Sequence, residues 1–106
     1  MPTPHLPTFA ARRAIKKLGA DIKEARIRRR LPMALLAERA LTSRATLQRI
    51  EEGDVGVSIG IVASVLHSLS LLEGLTHSAE HSHDVHGQLL ARSQLPKRAY
   101  RKRSMG

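Results

Sequence analysis

Apolar residues recur at intervals of three and four along much of the chain, and this spacing places them on one face of an α-helix. Thr8 is a suitable N-cap for a first helix, which we expect to end near residues 28–30. Pro32 suits the first turn of a short second helix that stops near Leu41. The first stripe is the clearest, and its members are Ala11, Ile15, Leu18, Ile22 and Ala25.

The pattern predicts three more helices. Thr42 and Ser43 offer a hydroxyl N-cap for a third helix, which Gly53 closes in a left-handed conformation. Ser58 caps a fourth helix, and a short fifth helix covers Leu71 to Leu75. The apolar face of the fourth helix is formed by Ile61, Val62, Val65, Leu66 and Leu69.

These elements predict an all-α fold of five helices, because no segment alternates as a strand does and only two of the 106 residues are aromatic. Residues 1–7 contain three prolines and form a flexible arm. Residues 8–75 form the folded domain. Residues 76–106 form a histidine-containing linker and a basic tail.

The charge distribution indicates a polyanionic partner. Net charge is +9, with four positive and no negative residues over 1–18 and six positive against two negative over 77–106. The chain has no cysteine, and we expect a reducing, cytoplasmic location. No apolar run approaches the roughly 18 residues of a membrane span.

Residues 35–53 carry the functional signal. A short helix, a tight turn and a second helix form a compact corner, and the small Ala37 allows the two helices to approach closely. Arg44, Thr46, Gln48 and Arg49 face outward, as side chains that enter a major groove do. No catalytic motif or glycine-rich phosphate loop is present, so we expect neither an enzyme nor a cofactor.

The segment LAERALTSRATLQRIEEG resembles the Xre or phage-repressor helix-turn-helix family, over about residues 18–75. The longer stretch from RRRLPMALL to VLHSLSL is similar to HipB-type antitoxins of type II toxin-antitoxin systems, as are its segment GDVGVSIG and the ending QLPKRAYRKR. The resemblance implies a dimer that binds a palindromic operator, represses its own operon and neutralises a HipA-type kinase toxin.

The resemblance also implies residue roles. Arg26 and Glu51 match positions that form a structural ion pair. Leu41 replaces the usual turn glycine, so its φ need not be positive, and Pro32 and Met33 replace residues that cap the second helix and reach phosphate. The expected base contacts are Arg44, Ala45, Gln48 and Arg49. The expected phosphate contacts are Ser43, Thr46, Lys16 and Lys17.

Residues 54–76 carry only two charges, and their apolar residues exceed the need of one small core. We therefore predict a dimer interface through the fourth and fifth helices. Its residues are Ile61, Val65, Leu69, Leu72 and Leu75. In the tail, Leu95 and Tyr100 recur among basic residues, and we predict that they contact a protein partner.

Three alternatives remain. In the first, the chain is a stand-alone Xre-type transcription regulator without a toxin. In the second, it is an interaction protein whose tail carries the essential function. The third is a metal-responsive regulator that uses His77, His81 and His83. Histidines in polar linkers are more often solvated, and no cysteine assists them, so we predict no metal site.

Overall fold

The computed structural model describes residues 6–93 and is helical, with no strand in that range. The prediction of an all-α fold is confirmed to this extent. A 3₁₀ turn covers His81–His83, and residues 85–93 are again helical. The α-helices before this turn are α1 Phe9–Arg28, α2 Met33–Arg39, α3 Arg44–Glu51, α4 Ile59–Ser68 and α5 Glu73–Thr76.

Hydroxyl side chains begin three of the helices, as the sequence predicts. The Thr8 Oγ1 accepts a hydrogen bond from Ala11 N at 3.1 Å. The Ser43 and Ser58 hydroxyls cap α3 and α4 in the same way, at 3.0 and 3.3 Å. Each bond satisfies a backbone N–H that has no partner inside the helix. Pro32 instead lies one position earlier than predicted, at the N-cap of α2, with φ −63°.

The helices α1 to α4 all end in the same hydrogen-bonding motif. In this Schellman motif one residue after the helix takes a positive φ, and its own N–H and that of the following residue both bond back to carbonyls of the last turn. The predicted left-handed Gly53 is confirmed. The expectation for Leu41 is wrong, because its position in the motif imposes φ 57° without a glycine. The positive-φ residues are Arg30, Leu41, Gly53 and Ser70.

The core of the first four helices is aliphatic. Helix α1 packs against α3, and α2 packs against both α3 and α4. A Cβ on Gly19 would lie 2.2 Å from the Ile50 carbonyl oxygen, so α1 and α3 approach as closely as backbone allows. The largest side chains that are fully buried in this core, each less than 2% exposed, are Ile22, Leu36, Leu47, Leu69 and Val65.

This core corrects part of the predicted dimer interface. Val65 is 0% exposed and Leu69 is 1% exposed, because α4 turns them into the same protomer. Neither side chain has surface left to offer a second copy. The amphipathic stripe of α4 therefore serves the protomer core at these two positions.

The chain divides into two compact units between Leu72 and Glu73. The predicted fifth helix begins at Glu73 rather than Leu71, and it belongs to the second unit. Leu71 belongs instead to the motif that ends α4, in which its N–H bonds to the Leu66 carbonyl at 2.8 Å. None of the helices within residues 6–93 is long and apolar enough to cross a membrane.

Candidate nucleic-acid interface

Helix α3 presents a polar face opposite its buried one. Leu47 and Ile50 are buried against the neighbouring helices. Since each residue advances about 100° around a helix, positions one, two, five and six of α3 share the opposite side. These positions hold the predicted base contacts, and all are exposed: Arg44, Ala45, Gln48 and Arg49.

Two hydroxyls at the start of α3 bond to each other. The Ser43 hydroxyl donates to the Thr46 Oγ1 at 2.9 Å and accepts from the Thr46 N–H at 3.0 Å. Its single proton is therefore occupied, and the Thr46 proton is the one left to donate. Of the two hydroxyls among the predicted phosphate contacts, Thr46 can donate to phosphate without disturbing the cap.

Two of the exposed α3 side chains have acidic partners that the sequence pattern did not predict. The Gln48 amide donates to the Glu52 Oε1 at 3.0 Å. The Arg49 Nε donates to the Asp54 Oδ2 at 2.7 Å. Arg44 makes no hydrogen bond or ion pair within residues 6–93, so its guanidinium is available to a ligand.

Asp54 is held at both carboxylate oxygens. The Asp54 Oδ1 accepts the Gly56 N–H at 2.7 Å, while Oδ2 accepts from Arg49. The hydrogen bond from Arg49, followed by that from Gly56, lowers the pKa of Asp54. The same contact raises the pKa of Arg49. Both groups are charged at neutral pH, and the pair stays partly open to solvent.

The predicted pair between Arg26 and Glu51 is present and bidentate. The Arg26 Nε and Nη2 donate to the two Glu51 oxygens at 2.7 and 3.1 Å, and Nη1 donates to the Leu31 carbonyl at 3.0 Å. The side chains are only 12% and 5% exposed. This pair joins the end of α3 to α1 and fixes the orientation of the polar face.

The N-terminal half of α1 is a basic, exposed segment. Every residue over 9–17 is exposed, and the segment includes the predicted phosphate contacts Lys16 and Lys17. A Cβ on Gly53 would lie 2.7 Å from the Lys16 Cα, so α1 passes close to the end of α3. Lys17 pairs with Asp21 at 2.7 Å, and this hydrogen bond raises the pKa of Lys17.

The remaining predicted residues are not brought to this face. Ile61 and Leu72 are half-buried in the first unit, and Leu75 is half-buried in the second. Leu95 and Tyr100 lie outside the described residues.

The histidines of the second unit form no metal-binding group. The His77 Nδ1 contacts the Glu80 Oε2, and the rings of His77 and His83 are 6.0 Å apart. Within residues 6–93 no three histidine or acidic side chains converge as metal ligands. The metal-responsive alternative therefore gains no support from the arrangement of the histidines.

No family model, curated protein or solved structure matches this chain. Support for a function comes from the residues of the chain itself.

Proposed function

We propose that the chain is a sequence-specific DNA-binding protein that represses transcription. In this proposal α2, the turn and α3 form a helix-turn-helix of the Xre type, and α3 enters the major groove. The observation that carries the proposal is the exposed face of α3, where arginine, alanine and glutamine side chains project from a helix with a solvent-exposed start.

Each side chain on that face suits a base edge. Arginine donates two hydrogen bonds to guanine, glutamine pairs with adenine, and the methyl of an alanine contacts that of thymine. Arg44 can bind guanine without losing another contact, because it makes no hydrogen bond or ion pair within the described residues. Gln48 donates one amide N–H to Glu52, and its second N–H and its amide oxygen are left for the two hydrogen bonds to adenine.

The phosphate backbone supplies most of the affinity in this proposal. Lys16 lies on α1 beside the end of α3, and Lys17, Arg12 and Arg13 extend the exposed positive charge along the same helix. Such contacts release counterions from DNA, so binding weakens steeply with salt. The hydroxyl of Thr46 adds a neutral phosphate contact at the start of α3.

The resemblance to HipB-type antitoxins extends the proposal to a partner. The protein would act as a dimer, repress its own operon and neutralise a HipA-type kinase toxin. A two-fold dimer places its recognition helices roughly 34 Å apart, which requires a palindromic site. Leu95 and Tyr100 are the proposed toxin contacts.

The DNA proposal is tested by selecting duplexes from a random 30-base-pair library. We expect an enriched palindromic sequence and a strongly negative slope of log affinity against log salt. Arg44→Ala should weaken the selected duplex by about 1–3 kcal/mol and relax one base preference. Arg39→Ala removes the same charge from the exposed side of α2 and serves as the control. A slope near zero, or equal losses on selected and random duplexes, contradicts the proposal.

The toxin proposal has its own test. A kinase of the HipA type encoded beside this chain should co-purify with it and lose activity on binding. A Leu95→Ala, Tyr100→Ala double variant should lose this neutralisation while DNA binding persists. DNA binding without any kinase binding would instead support the stand-alone regulator.

A further inference from the structure

The loop that follows α3 holds one arginine of the exposed face in a fixed position. The Arg49 Nε is 2.7 Å from the Asp54 Oδ2, and the other oxygen of Asp54 accepts the Gly56 N–H, also at 2.7 Å. The Asp54 N–H in turn bonds to the Arg49 carbonyl at 2.9 Å. The carboxylate is therefore fixed through backbone and side chain before it meets the guanidinium.

The contact uses only one of the three nitrogens of Arg49. Within the described residues, Nη1 and Nη2 donate no hydrogen bond, and the side chain is half exposed. A Cβ on Gly56 would lie 3.3 Å from the Arg49 Nη2 and 3.1 Å from the Asp54 Oδ1. The loop thus packs closely beside the guanidinium and leaves its terminal fork free.

We propose that Asp54 is a positioning residue that aims the Nη1 and Nη2 fork of Arg49 at a guanine. Guanine offers two acceptors, O6 and N7, that match this planar fork. The inference rests on the proposed DNA binding and adds the base and the residue that selects it. Asp54 itself touches no base in this proposal.

Two physical effects give Asp54 this role. A free arginine side chain loses rotamer freedom when it binds, and the bond to Asp54 removes part of that freedom beforehand. The Asp54 carboxylate also repels phosphate, so it disfavours an alternative in which Arg49 swings to the backbone. Asp54 should therefore increase discrimination for guanine more than it increases total affinity.

The opposite role for Asp54 would be competition, in which the carboxylate withholds Arg49 from DNA. The two roles predict opposite changes. Loss of a positioning group lowers affinity for the preferred duplex and flattens its preference for guanine. Loss of a competitor raises affinity for all duplexes alike.

The test compares Asp54→Asn with Asp21→Asn. Asp21 pairs with Lys17 at the same 2.7 Å distance on an exposed surface, so both variants remove one charge and release one cation. The affinity of each variant is measured for the duplex that the unmodified protein selects. It is also measured for duplexes in which each guanine is replaced, one at a time, by each of the three other bases. We expect Asp54→Asn to reduce the guanine preference at one position about tenfold, and Asp21→Asn to leave it unchanged.

Two further variants separate positioning from folding. Gly56→Ala keeps every charge but presses a methyl group against Arg49 and Asp54, and it should flatten the same preference. In an Arg49→Ala background, Asp54→Asn should have no further effect on base preference, because its role passes through Arg49. Melting temperatures should agree between Asp54→Asn and Asp21→Asn.

The outcomes distinguish the inference from the proposed function. If the unmodified protein selects no sequence from the library, the DNA proposal itself fails. If it selects a sequence and Asp54→Asn keeps the full guanine preference, or raises affinity for all duplexes alike, the positioning role is overturned. An undiminished effect of Asp54→Asn without Arg49 also overturns it.

Discussion

Substitution of Glu51 should destabilise the first unit more than any exposed charge change. Glu51→Ala leaves the Arg26 guanidinium, now 12% exposed, with only its bond to the Leu31 carbonyl. Removal of one partner from a buried ion pair costs about 3–5 kcal/mol, because the remaining charge is desolvated without compensation. A unit of this size has a total stability of only about 4–10 kcal/mol.

The expected effect is large enough for a simple assay. A loss of 1 kcal/mol lowers the melting temperature of a small domain by about 4–8 °C, so Glu51→Ala should lower it by at least about 12 °C. Circular dichroism at 222 nm measures this directly. Asp21→Asn breaks an exposed pair of the same length, 2.7 Å, and should change the melting temperature little, because solvent screens an exposed ion pair.

A second variant tests the physical reason. An Arg26→Met, Glu51→Leu double substitution removes both charges and keeps apolar volume, so it should recover most of the lost stability. If Glu51→Ala costs no more than Asp21→Asn, the pair is not desolvated as its burial indicates. If the double variant is as unstable as Glu51→Ala alone, the loss comes from packing and the electrostatic reasoning is refuted.

Three other substitutions or titrations test single features. Gly19→Ala should cost about 1–3 kcal/mol in chemical denaturation, because the new Cβ meets backbone of α3, whereas Gly60→Ala meets nothing within 4 Å and should be stabilising. Leu41→Gly should stabilise by about 0.5–1 kcal/mol by relieving a positive φ, and Leu41→Ala should not. In NMR titrations the pKa of Asp54 should lie below the usual aspartate range, and it should move back towards that range in Arg49→Ala. The stability that this pair contributes is present at neutral pH and is lost as the pH falls through the lowered pKa.

The starts of the helices could be predicted because capping is a short-range interaction. A hydroxyl at Thr8, Ser43 or Ser58 bonds to an N–H three residues later, so the whole interaction lies within one segment of sequence. The ends of the helices were less predictable. The positive φ of Gly53 could be predicted because glycine adopts that conformation readily. The same backbone motif imposes a positive φ on Leu41, and a leucine side chain does not predict it.

The packing of the helices could be predicted only in part. An amphipathic stripe shows that Val65 and Leu69 face something apolar, but it does not say whether that surface belongs to the same protomer. The structure gives both to the protomer core. The requirement for glycine at position 19 was also hidden, because it arises from an approach between α1 and α3 that no local pattern encodes.

The candidate site depends both on local features that the sequence predicts and on contacts that only the fold reveals. The exposed face of α3 follows from helical periodicity, and so the sequence identified Arg49. Its restraint by Asp54 depends on the turn at Gly53, which ends α3 and brings the Asp54 N–H to the Arg49 carbonyl. The same turn also places the Asp54 carboxylate beside the Arg49 side chain. Gly53 therefore ends the helix and, through the same turn, sets the electrostatic surroundings of Arg49 on the exposed face. The sequence predicts the left-handed glycine, but the ion pair between Arg49 and Asp54 becomes evident only once the geometry of that turn is known.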